Sequence, residues 1–98
     1  MRDLLDGEGL AAALSLLPDW EGSSERISRT ISLDAHRDEV LRTQIDLVAA
    51  EIDHHPVVED TDDGTRFVLW THSRGGVTEM DVALAARIDA LAAGLDRG

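Results

Sequence analysis

The sequence predicts a small α+β domain, with helices packed over one face of an antiparallel sheet. Three segments carry apolar residues at helical spacing, and the stretches between them alternate in polarity as strands do. At 98 residues the chain has the length of one domain, so we expect residues 1–98 to share a single core.

Each helix is predicted from an apolar stripe and a capping residue. Asp6 is a candidate N-cap for the first helix, which should end at Pro18. Asp34 should cap a long second helix over about residues 37–53, and Thr78 should cap the last one. The stripes consist of Leu10, Leu14 and Leu17; of Leu41, Ile45, Val48 and Ile52; and of Leu84, Ile88, Leu91 and Leu95.

The strands are predicted from residues that alternate between two faces. One strand runs through residues 27–33, and Arg29 interrupts its apolar side. Another begins at Val57 and leads into a hairpin turn at Asp63-Gly64, after which residues 66–72 form a further strand. Because the helical stripes can cover only one face of so small a sheet, we expect the chain to self-associate. The strand over 66–72 should carry Phe67, Leu69 and Thr71 on one face and Val68, Trp70 and His72 on the other.

Composition and charge exclude several classes of protein. Twenty acidic residues against nine basic ones give a net charge of −11, so nucleic-acid backbones and anionic membrane surfaces would repel the chain. It has no cysteine and no lysine, which excludes disulfides, thiolate nucleophiles and Schiff bases. No apolar run approaches the ~20 residues of a membrane helix, and acids stand where a signal peptide would be apolar. We therefore expect a cytoplasmic protein with neither nucleic-acid nor membrane partners.

The most unusual local feature is the sequence His54-His55-Pro56 at the predicted end of the second helix. The negative end of the helix dipole and the neighbouring Asp53 carboxylate both favour a protonated imidazole. His72, at a strand end, could return to the same end of the sheet. Three imidazoles converging on one pocket would suit general acid–base catalysis near neutral pH.

Other interpretations of these residues stay open at this point. The His pair can be a polar helix end, and His72 can be a surface residue. A metal site built from the three imidazoles with Asp53 or Asp81 is a second functional hypothesis, although adjacent histidines rarely both reach one metal. Asp81 also fits a capping box that begins at Thr78. We assign no role to His36.

Taken together, five segments resemble the pterin-4a-carbinolamine dehydratase family, also called 4a-hydroxytetrahydrobiopterin dehydratase. The resemblance covers nearly the whole chain, and the combination of segments is far more specific than any one of them. The segments are Leu16-Leu17-Pro18-Asp19-Trp20, Asp53-His54-His55-Pro56, Thr71-His72, Gly75-Gly76-Val77-Thr78-Glu79-Met80-Asp81 and Ala85-Ala86-Arg87-Ile88-Asp89.

The resemblance implies a fold, an assembly and a reaction. The fold is α-β-β-α-β-β-α with a four-stranded antiparallel sheet, assembled into dimers or tetramers. The reaction is loss of water from a 4a-hydroxytetrahydropterin to give a quinonoid dihydropterin, with no cofactor and no metal. The resemblance assigns His54, His55 and His72 to catalysis, and Asp81, Trp20 and Asp53 to substrate binding.

Several positions depart from the family pattern. Ala50 stands where the family usually has an acid, and Val58 and Asp62 replace aromatic residues. Ser73 follows the third histidine, where an acid is common, and Trp70 replaces a small Ser or Thr. These departures leave open an alternative function, that of a catalytically weak relative serving as a protein-interaction module. A third hypothesis is a dehydratase-like domain acting on another small heterocycle.

Overall fold

The computed structural model describes residues 4–96, which form three helices and one four-stranded antiparallel sheet. The predicted order α-β-β-α-β-β-α is confirmed. The elements are α1 (Gly7–Ser15), β1 (Glu21–Gly22), β2 (Ile27–Ile31), α2 (Ala35–Ile52), β3 (Val57–Thr61), β4 (Gly64–Leu69), a short 3₁₀ turn (His72–Arg74) and α3 (Glu79–Asp96).

The predicted helix starts are confirmed by side-chain caps. The carboxylate of Asp6 accepts from the amide of Gly9 at 2.7 Å, and that of Asp34 accepts from Arg37 at 2.9 Å. These caps satisfy backbone amides that have no partner within the helix. The first helix ends at Ser15, before Pro18. Leu17, the last apolar residue predicted for this helix, therefore lies in the loop that follows it, and its side chain is buried.

The sheet has the strand order β1-β2-β4-β3, which leaves β1 and β3 as its edges. Along the central pair, Ile27 lies opposite Leu69 and Ile31 opposite Thr65. All five residues of β3 are exposed, so one edge of the sheet has no cover from the described part of the chain. An uncovered edge strand offers free backbone donors and acceptors for pairing.

The core lies between the helices and one sheet face. The apolar stripes predicted the buried side of the helices at most positions, and Ala49, Ala85 and Ala92 complete it. Ile52 is an exception, because it is 37% exposed and borders an open depression beside Met80. Arg29 interrupts the apolar face as expected, but its guanidinium donates to Asp89 at 2.6 Å and so has a partner.

Two features of the predicted hairpin differ from expectation. Its two-residue loop is Asp62-Asp63, and Gly64 already pairs with Thr61. Gly64 has φ +140°, and a Cβ there would lie 2.5 Å from the carbonyl oxygen of Ile31, so only glycine fits against β2. The following strand stops at Leu69 instead of continuing to His72, because the chain turns back through a bridge between Thr71 and Gly76.

Candidate active site

The end of α2, the end of β4 and the start of α3 meet at one end of the domain. Asp53 caps α2 in the left-handed conformation, with φ 52° and ψ 45°, and the amide of His54 donates to the carbonyl of Ala49 at 3.0 Å. A left-handed residue at this position redirects the chain away from the helix axis. The cap thereby sends His54 towards the start of α3.

His54 and Asp81 form the central contact of the site. The Nε2 atom of the imidazole lies 2.5 Å from Oδ1 of the carboxylate. The His54 side chain is only 10% exposed, and Asp81 has no exposed side-chain surface. A carboxylate held this far from water needs hydrogen-bond donors around both oxygens.

The second oxygen of Asp81 has those donors. Its Oδ2 accepts from the hydroxyl of Thr71 at 2.8 Å and from the backbone amide of Thr78 at 2.9 Å. The hydroxyls of Thr71 and Thr78 lie 2.8 Å apart, and the donor order Thr78 to Thr71 to Asp81 uses each proton once. The capping box expected at Thr78 is therefore present, and its carboxylate also holds an imidazole.

These contacts fix the orientation of the His54 ring. An ionised carboxylate accepts on both oxygens, and when Asp81 is in that form, Nε2 of His54 carries the hydrogen that lies between the two groups. In the neutral imidazole the free lone pair is then on Nδ1. No buried side-chain nitrogen or oxygen among residues 4–96 lacks a hydrogen-bond partner. The arrangement can therefore hold one imidazole in a defined tautomer.

His72 lies at the same end of the domain as His54, since the preceding residue, Thr71, shares Asp81 with it. The exposed imidazole of His72 stacks on the indole of Trp70, with centroids 4.4 Å apart and an interplanar angle of 24°. The guanidinium carbon of Arg26 lies 4.7 Å from the Trp70 ring centroid. The sequence correctly predicted Trp70 beside His72, but the two meet through a turn and not through strand alternation.

His55 is exposed and precedes β3, in which Val57 pairs with Val68 of β4. His55 stands two residues before that pair, and Trp70 stands two residues beyond it. The two chain segments therefore leave the ladder at the same end of the sheet. The convergence of all three imidazoles on one bound molecule stays a prediction.

Two of the remaining predicted residues have clear positions. Asp53 is the exposed cap of α2, next to His54. Trp20 lies in the hydrophobic core, and its indole nitrogen donates to Asp89 at 2.8 Å, about two helical turns beyond Asp81 along α3. The substrate-binding roles of both residues stay predictions, and His36 is exposed on the first turn of α2.

Sequence reasoning missed Thr71 and Arg26. Thr71 was expected to share a strand face with core residues and stood in the family segment Thr71-His72, but no role was predicted for its hydroxyl, which donates to Asp81. Arg26, in the loop before β2, contacts Trp70 across a long separation in sequence. A signal for Thr71 was its place directly before His72, whereas nothing local in the sequence pointed to Arg26.

Two other polar features lie away from the imidazoles. A cavity of about 500 Å³ between β2 and α3 contains Arg29 and Asp89, which pair with each other. Near the middle of α2, Arg42 donates to Asp38, Thr65 and Asp60. The bond to Asp60, followed by those to Asp38, raises the pKa of the Arg42 guanidinium against its partial burial.

Residues 4–96 contain neither a cluster of metal-ligating side chains nor a helix suited to span a membrane. No three His, Asp or Glu side chains in this part of the chain come together as a metal site would require. None of its helices is long and apolar enough to cross a bilayer.

The chain is similar to known proteins over most of its length. The family model for pterin 4 alpha carbinolamine dehydratase matches residues 3–91. A candidate pterin-4-alpha-carbinolamine dehydratase of Nocardia farcinica is 38% identical over 91 residues, covering 92% of this chain and 96% of the relative. A candidate with the same name from Bradyrhizobium sp. is 37% identical, covering 97% of this chain and 98% of the relative.

A solved structure supports the same comparison at the level of fold. The crystal structure of a transcriptional coactivator/pterin dehydratase from Brucella melitensis superposes with a TM-score of 0.86 at 29% identity. The match covers 92% of this chain and 99% of that chain.

Proposed function

The chain belongs to the pterin-4a-carbinolamine dehydratase family, and from that premise we propose that it dehydrates a 4a-hydroxytetrahydropterin to a quinonoid dihydropterin. The bond that breaks joins the 4a carbon to its hydroxyl oxygen. The hydroxyl takes up one proton and leaves as water, the neighbouring ring nitrogen supplies the electron pair, and a ring N–H gives up one proton. The reaction therefore needs one proton donor and one acceptor and is neutral in net protons.

The contact between His54 and the buried Asp81 is the observation that supports this proposal best. A carboxylate on Nε2 leaves Nδ1 as the atom that takes a proton, and it stabilises the imidazolium that results. Because two further donors hold Asp81, the ring needs little reorganisation when it takes up the proton. We assign His54 the role of proton acceptor.

His72 suits the complementary role. Its imidazole is exposed and so can exchange protons with water between turnovers. His55, on the same chain segment as His54, would contact the pterin and assist either transfer. Asp53 and Trp20 are assigned to substrate binding by the family pattern alone. Because Val58 and Asp62 replace aromatic residues of that pattern, affinity for the pterin is the property that should differ most from that of other family members.

A stopped-flow assay with 4a-hydroxytetrahydrobiopterin tests the proposal. We expect the wild-type chain to accelerate dehydration and His54→Gln to lose about 10²-fold or more of that acceleration. His36→Gln is the matched control, since His36 is an exposed histidine on the first turn of α2, at the other end of that helix from His54. Equal rates for wild type and His54→Gln would overturn the proposed role of His54, and an inactive wild type would overturn the dehydratase function.

A second candidate function is that of a protein-interaction module. The related protein from Brucella melitensis is described as a transcriptional coactivator as well as a pterin dehydratase. The exposed β3 edge offers a surface for pairing with another chain. An inactive wild type that still forms a defined complex through β3 would favour this function.

A further inference from the structure

We propose that Trp70 is a positioning residue that orients the His72 imidazole by stacking on it. This inference rests on the proposed dehydratase function for its kinetic consequence. The stacked pair has a centroid separation of 4.4 Å and an interplanar angle of 24°, which is the close, nearly parallel arrangement of an attractive ring contact.

The imidazoles of His54 and His72 are held by different contacts. His54 is held by a hydrogen bond to Asp81 and is almost completely buried. His72 is exposed, and within residues 4–96 no hydrogen bond or ion pair is made by its imidazole. Its stack on Trp70 therefore limits rotation of the ring, and both ring nitrogens stay available to substrate or water.

Trp70 is itself anchored for this role. It follows directly after β4, is half-buried, and lies outside the main hydrophobic cluster. The guanidinium of Arg26 lies against its ring, as a cation does over the electron-rich face of an indole. Contacts from two separate loops thus hold the indole, while the ladder that ends at Leu69 fixes its backbone.

The geometry also bears on how a pterin could bind. Part of the indole surface is already covered by His72 and Arg26, so the ring is not a free platform for a flat heterocycle. If Trp70 acts through His72, its loss should reduce kcat and leave KM nearly unchanged. If it stacked on the substrate, its loss should raise KM instead.

The test compares Trp70→Ser, which restores the small residue usual in the family, with Trp70→Phe, which keeps a stacking ring. We expect Trp70→Ser to lower kcat about tenfold, less than the ~10²-fold or more lost with the His72 imidazole itself, and Trp70→Phe to recover most of the activity. A rise in KM with kcat unchanged, or equal losses in both variants, would overturn the inference.

A spectroscopic measurement separates this inference from the proposed function. In the wild type, the ring current of the indole should shift the His72 Cε1 proton upfield relative to Trp70→Ser in a histidine-labelled NMR spectrum. The His55 and His36 resonances serve as internal references, with His72→Gln providing the assignment. An unshifted His72 signal overturns the stack whether or not the protein is active. A shifted signal in an inactive wild type supports the stack and counts against the dehydratase function alone.

Discussion

The imidazole of His54 and the carboxylate of Asp81 meet at 2.5 Å although 27 residues separate them in sequence. One partner ends a helix and the other begins one, and neither side chain has much contact with water. A buried hydrogen bond to a carboxylate depends on the donors that surround that carboxylate. Substitutions of those donors and of the carboxylate itself should therefore change both turnover and stability.

Asp81→Asn should impair both properties. The amide keeps the shape of the carboxylate but cannot accept from His54, Thr71 and Thr78 together. We expect kcat to fall about 10²-fold or more and the free energy of unfolding to fall by about 2 kcal/mol. Stopped-flow assays and urea titrations measure the two effects.

Asp38→Asn is the matched control for that change. Asp38 is a carboxylate that also has several donors, but its side chain is 20% exposed and it lies at the far end of α2 from His54. The Asp38→Asn variant should be less stable than the wild type, and its kcat per folded molecule should be unchanged. An Asp81→Asn protein with wild-type kcat would show that the carboxylate serves only the fold.

Thr71→Val should have a smaller effect of the same kind. The substitution keeps the branched shape and removes the hydroxyl that donates to Asp81. Because the site is buried, losing that donor should cost about 1–3 kcal/mol of unfolding free energy. We also expect a measurable decrease in kcat, since Asp81 then has one fewer contact to hold its orientation. Thr43→Val, on the exposed side of α2, should leave kcat unchanged.

Activity should survive chelation of metals. The proposed reaction requires a proton donor and an acceptor and no Lewis acid. We expect the dehydration rate to be the same before and after dialysis against EDTA. Loss of turnover with EDTA and its recovery with zinc would replace the acid–base proposal by the metal hypothesis.

The exposed β3 edge should mediate self-association. Its five residues are all exposed, and Val57 and Val58 present apolar side chains there. We expect sedimentation at micromolar concentration to give a dimer or tetramer, and Val58→Lys to shift the population towards monomer. A wild-type chain that sediments as a monomer contradicts this prediction.

Arg42 should contribute to stability in a way that does not change near neutral pH. Its pKa is raised, mainly by the bond to Asp60, so its favourable contribution is lost only as the pH rises through that raised value. Because its side chain is 35% exposed, we expect Arg42→Met to cost only about 1 kcal/mol. Urea titrations between about pH 6 and about pH 9 should give the same difference from wild type. A difference that falls to zero by the upper end would contradict this assignment.

Local sequence signals predicted the elements well and their tertiary contacts poorly. Each of the caps at Asp6, Asp34 and Thr78 joins two residues that are three apart in sequence, so the sequence alone predicts such partners. β4 ends early because the chain turns back and Thr71 pairs with Gly76. The alternating pattern continues to residue 72, so the sequence predicted a longer strand.

The site itself could be predicted only in part. The family pattern identified the histidines and Asp81, but the donors around Asp81 come from separate elements of the fold. The cation–π contact between Arg26 and Trp70 likewise joins two segments that are distant in sequence. Such contacts depend on sheet register, which no short segment specifies.

The carboxylate of Asp81 caps α3 with one oxygen and binds His54 with the other. Selection for a folded chain and selection for turnover would therefore act on the same side chain. A variant that lost the chemistry here would also lose the start of a helix, so relatives that abandon catalysis while keeping the fold should retain this aspartate and change the histidines instead. The presence of the aspartate alone is then a poor guide to activity in such relatives, and the imidazoles are the residues to inspect.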